Sequence, residues 1–329
     1  MKILNTLFAL WIFFASLYSV SSAGLPEAQI TVRVVGENDE PISNAVVLIS
    51  FEQQADGMKG IYKNADFRGL SDSNGEYSGS AAGDGYVFYM AEKEGYYKSQ
   101  QKHQFLNQEV KGGKWNPWNP VLKLMLLQKV NPVPMYMKHL ETNVPEIDKP
   151  IGFDLQIGDW VNPFGKGEIG DIIFEVHRNI IDQGHFECAL RFSFSNKGDG
   201  ILPYLPEAND SIEFSPPRIA AENGYQNELV LRRGRVLRQD EKNKLQVFND
   251  AERYAGYILR IRSVLNEKGE VVKAWYGKVG GFEFDPRDSP GAFLRFTYFL
   301  NPDGTRNLEF DPARNLSTNL GEFEDVRDP

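Results

Sequence analysis

Hydrophobic positions along this chain recur mostly at every second residue. Ile30, Val32 and Val34 alternate with Thr31, Arg33 and Val35, so one face of the segment is favoured for burial and it reads as a strand. A polar turn, Glu37-Asn38-Asp39-Glu40, leads through Pro41 into AVVLISF, residues 45–51, which is apolar on both faces and is expected at the centre of a sheet. Residues 76–80, 86–92 and 121–127 are read as further strands. In HFECALRFSF, Phe186, Cys188, Leu190, Phe192 and Phe194 share one face, which makes Cys188 a core thiol. Tyr257, Leu259 and Ile261 repeat the pattern, and residues 271–279 and 293–300 are β-rich runs. Helical signals are confined to residues 220–231 and 240–253, each expected to give a turn or two. The fold class predicted is mainly β: a β-sandwich followed by a second β-rich sandwich or barrel with minor helices.

Turn chemistry divides these strands. SDSNGEYSGS, residues 71–80, sets Asp72, Asn74 and Gly75 in the order that opens a calcium loop, but the twelfth position falls on Gly83, which has no carboxylate to offer. The Asn-Gly pair instead predicts a tight hairpin. NPDGT, residues 301–305, predicts a second one, closing the chain between residues 293–300 and NLEF, residues 307–310. NPVPMY, residues 131–136, carries two prolines that remove ladder donors, so it is expected to break the sheet as a stiff joint. The expected organisation is residues 24–130 as one domain, 131–149 as a linker and 150–329 as the second domain.

Composition narrows the class. The 329 residues suit two domains, and 41% hydrophobic with 25% charged residues is a globular balance. A net charge of −9 argues against a nucleic-acid partner, and the basic run Arg232, Arg233, Arg235 and Arg238 is read as a solvated face. Lys2, the apolar residues 7–17 and Ser21-Ser22-Ala23 form an export signal over residues 1–23, with cleavage expected near Gly24. No later apolar run is long enough to span a bilayer, so an exported protein that is periplasmic, secreted or at the cell surface is expected, with no transmembrane segment after cleavage.

The stretches ITVRVVGENDEPISNAVVLIS, GLSDSNGEYSG and YVFYMAEKEGYY, within residues 29–127, resemble the carboxypeptidase regulatory-like domain, a prealbumin-like β-sandwich. The resemblance implies an accessory module that accompanies other functions without doing chemistry itself. None of His103, His139, His177 and His185 is followed three residues later by Glu, so the zinc-carboxypeptidase ligand pair is absent, and neither a metal nor a cofactor is expected. PVPMY, KPIGFDLQIGDWVNPFGKGE and FTYFLNPDGTRNLEFDP, spread over residues 131–312, resemble recurrent stretches of exported bacterial proteins of unknown function. That resemblance transfers no ligand and no catalytic residue.

Candidate recognition residues lie in two aromatic loops. GDWVNPFGKGE, residues 158–168, sets Trp160 and Phe164 among glycines with Asp159 and Lys166 beside them, and KWNPWNP, residues 114–120, holds Trp115 and Trp118. Aromatic faces of this kind suit a glycan or a protein of the envelope. The competing reading is that these tryptophans wedge the domains together or cap a core. The chain therefore reads as an exported, non-catalytic binding or structural protein. The alternative is a secreted glycosidase-like hydrolase using Asp159, Glu168, Asp171 or Glu175, which would need two carboxylates about 5 to 10 Å apart across a cleft. Asn209-Asp210-Ser211 and Asn315-Leu316-Ser317 match the glycosylation pattern.

Overall fold

The computed structural model describes residues 24–54, 62–105, 109–205, 217–238, 244–287 and 291–325. The expected signal segment and the Asn209 motif lie outside these residues. Among the described residues the chain is mainly β, with one 3-10 turn at Asp250–Arg253.

Four sheets form two facing pairs. In the first pair, β1 (Glu27–Val35) lies between β4 (Glu76–Ala82) and the parallel β9 (Val121–Met125), with the short β7 (Val110–Lys111) and β8 (Lys114–Trp115) at its margin. The facing sheet is ordered β3 (Tyr62–Leu70), β2 (Val46–Gln54), β5 (Tyr86–Glu92), β6 (Ser99–Gln104). Alternation decides what is enclosed: Ile30, Val32 and Val34 of β1 meet Val47, Ile49 and Phe51 of β2 and Val87, Tyr89 and Ala91 of β5 in one core. As expected, β2 is central.

The second pair is larger. One sheet runs β15 (Gly200–Tyr204), β18 (Gly256–Leu265), β19 (Val271–Asp285), β20 (Phe293–Asn301), β10 (Val133–Asn143), β21 (Phe310–Asn315). Its partner runs β12 (Asp159–Trp160), β11 (Ile151–Asp154), β13 (Ile172–Asp182), β14 (His185–Ser193), β16 (Glu228–Arg238), β17 (Lys244–Asn249). Phe174, Leu190 and Phe192 from one sheet pack with Tyr257, Leu259, Phe296 and Tyr298 from the other. Cys188 lies in this core, where burial pushes its thiol up to about 12.

Several sequence expectations change here. The Asn74-Gly75 turn is real, with Gly75 at φ +77° and the Asp72 carboxylate accepting from the Asn74 and Glu76 amides at 2.8 Å. It is not a hairpin, because β3 and β4 belong to different sheets and the turn carries the chain across the sandwich. Only Gly75 of the pair takes a positive φ, whereas the expected two-residue hairpin needs two. The NPDGT turn likewise joins strands that do not pair, since β10 lies between β20 and β21. Residues 131–136 do not break the sheet: β10 begins at Val133, and Pro134 sits at a register irregularity against β21, before the ladder with β20 starts at Tyr136. Of the segments expected to give a helical turn or two, residues 220–231 and 240–253, the parts at 228–231 and 244–249 are strands, because pairing of β16 with β14 and β17 outweighs local propensity, while Asp250–Arg253 makes a 3-10 turn. The basic run is only partly a solvated face. Arg232 is exposed beside Asp250, but Arg233 points inward from β16 and donates to the Phe284 carbonyl.

Polar contacts tie the first pair of sheets to the second. Glu309, buried just before β21, accepts from the Val130 and Asn131 amides at 2.6 and 2.7 Å. Arg218 bonds this same carboxylate at 2.9 Å and reaches Glu37, in the turn after β1, at 3.1 Å. The Tyr97 hydroxyl donates to the Phe310 carbonyl at 2.5 Å. Beside this junction Lys278 of β19 is buried with its ammonium 4.9 Å from the Phe299 ring centroid.

Burial pushes Lys278 down to about 7, with Glu309 opposing the shift and Arg218 adding to it. An unfolded lysine titrates near 10.4, so between about pH 7 and 10.4 the unfolded chain binds the extra proton and stability rises with pH. The unfolding free energy from urea denaturation is expected to increase from pH 7.5 to pH 9, by up to about 1.4 kcal/mol per pH unit. Lys278→Met should flatten that rise, and an unchanged slope in the variant would place its origin elsewhere.

Candidate functional site

The loop at residues 158–168 is built from beneath by two aspartates. Asp154 ends β11 at 2% exposure; its Oδ1 accepts from the Gln156 and Ile157 amides at 3.0 and 3.2 Å, and its Oδ2 from the Glu168 and Ile169 amides, both at 3.0 Å. Asp159 accepts from the Trp160 amide at 2.8 Å and from the Lys166 amide at 2.9 Å. Each carboxylate therefore holds both ends of its turn. Glycines complete the design: Gly158 takes φ +71°, and a Cβ on Gly167 would stand 2.8 Å from the Asp159 carbonyl.

This geometry separates the candidate residues. Trp160 is 5% exposed and lies edge-on to Phe153 and Phe174, with ring centroids 5.2 and 5.6 Å away. Its indole N–H donates to Thr142 Oγ1 at 3.2 Å, so both the ring and its polar end are used inside the sandwich. Phe164, at 40%, and Lys166 are exposed at the tip. Trp115 is half-buried against Phe105 and donates to the Gly83 carbonyl at 3.0 Å. Trp118 is exposed, with the Lys114 ammonium 4.1 Å from its ring centroid. These two belong to the first pair of sheets, and no hydrogen bond or ring contact among the described residues joins them to the 158–168 loop.

Beneath the loop lies a constellation that motif reading missed. Arg262 of β18 sits at φ +52°, a left-handed conformation that strains a residue with a Cβ, at an irregularity in the β18–β19 ladder. Its fork donates to Asp171 at 2.8 and 2.9 Å, to Asp154 at 3.1 Å and to Gln156 at 2.5 Å, while its amide donates to Asp199 at 2.9 Å. The guanidinium lies 4.4 Å from the Trp275 ring centroid, and Trp275 stacks in turn on Tyr136. Burial raises the Asp171 pKa, opposed by its bonds to Arg262 and to the Leu155 amide. A signal for part of this existed: Asp154 is the one acid within the otherwise apolar IGFDL.

Three of the four carboxylates of the hydrolase reading are already bonded within the structure. Asp159 is spent on backbone amides and Asp171 on Arg262. Glu175 meets Arg191 at 3.0 Å and His177 at 3.2 Å, and Glu168 is exposed. Among the described residues no group of acids, histidines and cysteines is arranged to hold a metal ion. The Asn315 amide is also taken: its oxygen accepts from the Met137 N–H at 3.0 Å and its nitrogen donates to the Met137 carbonyl at 3.1 Å, which leaves it poorly placed for modification.

Fold and loop together define, over the described residues, a mainly β chain of two sandwich-type sheet pairs with a braced loop at one end of the second. No family model matches the chain, and no curated protein matches it. Among solved structures it is similar to a streptococcal ancillary pilin, at 11% identity and a TM-score of 0.20, covering 86% of this chain and 61% of that one. It is also similar to BcpA, the major pilin subunit of Bacillus cereus, at 12% identity and a TM-score of 0.22, covering 82% of this chain and 95% of that one. The chain thus spans 61% of the length of the streptococcal protein.

Two predictions follow from the geometry. Trp160→Ala should destabilise the protein by about 3–5 kcal/mol through the cavity it leaves, while Phe164→Ala should stay within about 0.5 kcal/mol of the parent. Thermal melting of both variants checks this, and an unaltered Trp160→Ala would place that ring outside the core. Arg262→Met should cost about 3–5 kcal/mol in urea denaturation, because two buried carboxylates lose their shared counter-charge. Arg262→Lys should recover only part of it, since an ammonium cannot make the forked bonds.

Proposed function

We propose that this chain is an exported, non-catalytic binding or structural protein of the cell envelope. The first sandwich domain covers residues 24–130, and the second covers residues 150–329 together with β10, which lies inside the 131–149 segment expected as a linker. The observation that carries this reading is the use made of the acids in the 158–168 region. Of the four carboxylates of the hydrolase reading, Asp159 is bonded to backbone amides and Asp171 and Glu175 to guanidinium groups, while Glu168 is exposed; Asp154 and Asp159 brace the loop, with Phe164 and Lys166 facing solvent. A fixed, exposed tip loses little conformational entropy on binding, which suits recognition. In this reading Trp160 contributes by holding the loop from within, while Trp118 offers a second exposed aromatic surface. A glycan or an envelope protein is the partner class.

The test is a pull-down of envelope fractions and a glycan screen with the mature protein, whose N-terminus is expected near Gly24 when recovered from the envelope or medium. Phe164→Ala/Lys166→Ala should melt as the parent does and bind its partner at least about tenfold more weakly, since aromatic truncation at an interface centre commonly costs about 2 kcal/mol or more. An intact Met1 in the exported fraction would overturn the cleavage expected near Gly24. Turnover of a glycan that is lost in Glu168→Gln would favour the hydrolase instead.

A further inference from the structure

The β3-β2-β5-β6 sheet has a second face, away from the core. Alternation along β5 sends Val87, Tyr89 and Ala91 inward and places Tyr86 and Phe88 on the outside. Cross-strand register then builds rows on that surface. Asp66, Ser50, Phe88 and Lys102 stand side by side in one, and the next brings Asn64 beside Glu52 and Gln104 beside Tyr86. Between these rows the surface dips into a concavity of about 290 Å³, lined chiefly by Glu52, Asn64, Tyr86, Phe88, Lys102 and Gln104. That volume lies at the lower end of the range for ligand clefts.

The polar groups here differ in one respect from the acids beneath the 158–168 loop. Ser50 donates to Asp66 at 2.6 Å, which fixes the floor. Among the described residues, no hydrogen bond or ion pair occupies the Glu52 carboxylate, the Asn64 and Gln104 amides, the Lys102 ammonium or the Tyr86 hydroxyl. The site therefore holds uncommitted acceptors and donors around two aromatic side chains, which stand about 6.6 Å apart along one strand. The combination matches a sugar. A pyranose ring has an apolar C–H face for the aromatic rings, and hydroxyls that both donate and accept around its edge. It fits a protein partner poorly, because an interface core is depleted of charge whereas here Glu52, Asp66 and Lys102 flank the rings. Glu52 also disfavours an anionic ligand.

We propose that this concavity is a binding site for a neutral glycan chain, with a sugar ring packed on Tyr86 and Phe88 and its hydroxyls bonded to Glu52, Asn64, Lys102 and Gln104. The proposal rests on the binding reading above and adds to the loop tip a glycan contact on a sheet face of the first sandwich.

Affinity electrophoresis of the full mature chain in gels cast with xylan, mannan, soluble starch or hydroxyethyl cellulose tests it. Retardation by at least one polymer is expected, weakened at least tenfold in Tyr86→Ala/Phe88→Ala. Asn64→Ala/Gln104→Ala keeps both rings and leaves the fold little disturbed; it should weaken retardation several-fold and serves if the first variant fails to fold. Retardation untouched by both pairs but lost in Phe164→Ala/Lys166→Ala would overturn this site and leave the loop reading standing. No retardation by any of the four polymers would also overturn it, and the envelope pull-down then decides the broader reading alone. Capture of an envelope protein that depends on Tyr86 and Phe88, without polymer retardation, would assign the face to a protein partner instead.

Discussion

Much of the second sandwich depends on one guanidinium. Arg262 comes from one of its sheets, while Asp154 ends β11 of the other and Asp171 immediately precedes that sheet's β13, so this group joins the two layers at the end where the 158–168 loop emerges. The same Asp154 carboxylate that meets Arg262 also receives four backbone amides of the loop. Without the arginine, two carboxylates buried in a low-dielectric site would repel each other and lose their solvation together. The left-handed backbone of Arg262 is a cost borne to aim that fork, and the bonds it makes to four side chains hold it in place.

The polar groups of this protein divide into those already spent and those still available. In the second sandwich, Asp154, Asp159, Asp171 and Glu175 are bonded to amides, guanidinium groups or imidazole, and they set geometry. At the junction, Glu309 does the same for the chain entering β10, and through Arg218 it reaches the turn after β1. The concavity on the outer face of the first sandwich is different, because the Asn64 and Gln104 amides, the Glu52 carboxylate and the Lys102 ammonium have no partner among the described residues. A buried polar group without a partner is costly, which favours the satisfied clusters inside, whereas the polar groups of this concavity can be solvated by water until a ligand arrives.

Much of the fold was legible because a strand writes its buried face into the sequence with a period of two. The Phe186-Cys188-Leu190-Phe192 stripe, the Ile30-Val32-Val34 face and the doubly apolar segment at residues 45–51 each lie where alternation put them. Strands with polar or mixed faces were not legible. SQQKHQ of β6 and ELVLRRGRVLR of β16 owe their state to the neighbours they pair with, and no local pattern records those neighbours.

Turns show the same boundary between local and distant causes. The residues of the Asp72–Gly75 and Asn301–Thr305 turns fix a reversal of the chain, since Asx side chains cap nearby amides and glycine takes a positive φ. Which strands those reversals join depends on long-range pairing, and both turns connect strands that end up apart. By itself, then, the sequence determined the alternating faces, the turns and the core position of Cys188. Tertiary structure alone decided that Trp160 points inward, that Pro134 is tolerated at an irregularity of β10, and that Arg262 gathers acids from distant parts of the chain. Burial and pairing are properties of the assembled sheets, and residues far apart in sequence acquire a shared dielectric environment only when those sheets close.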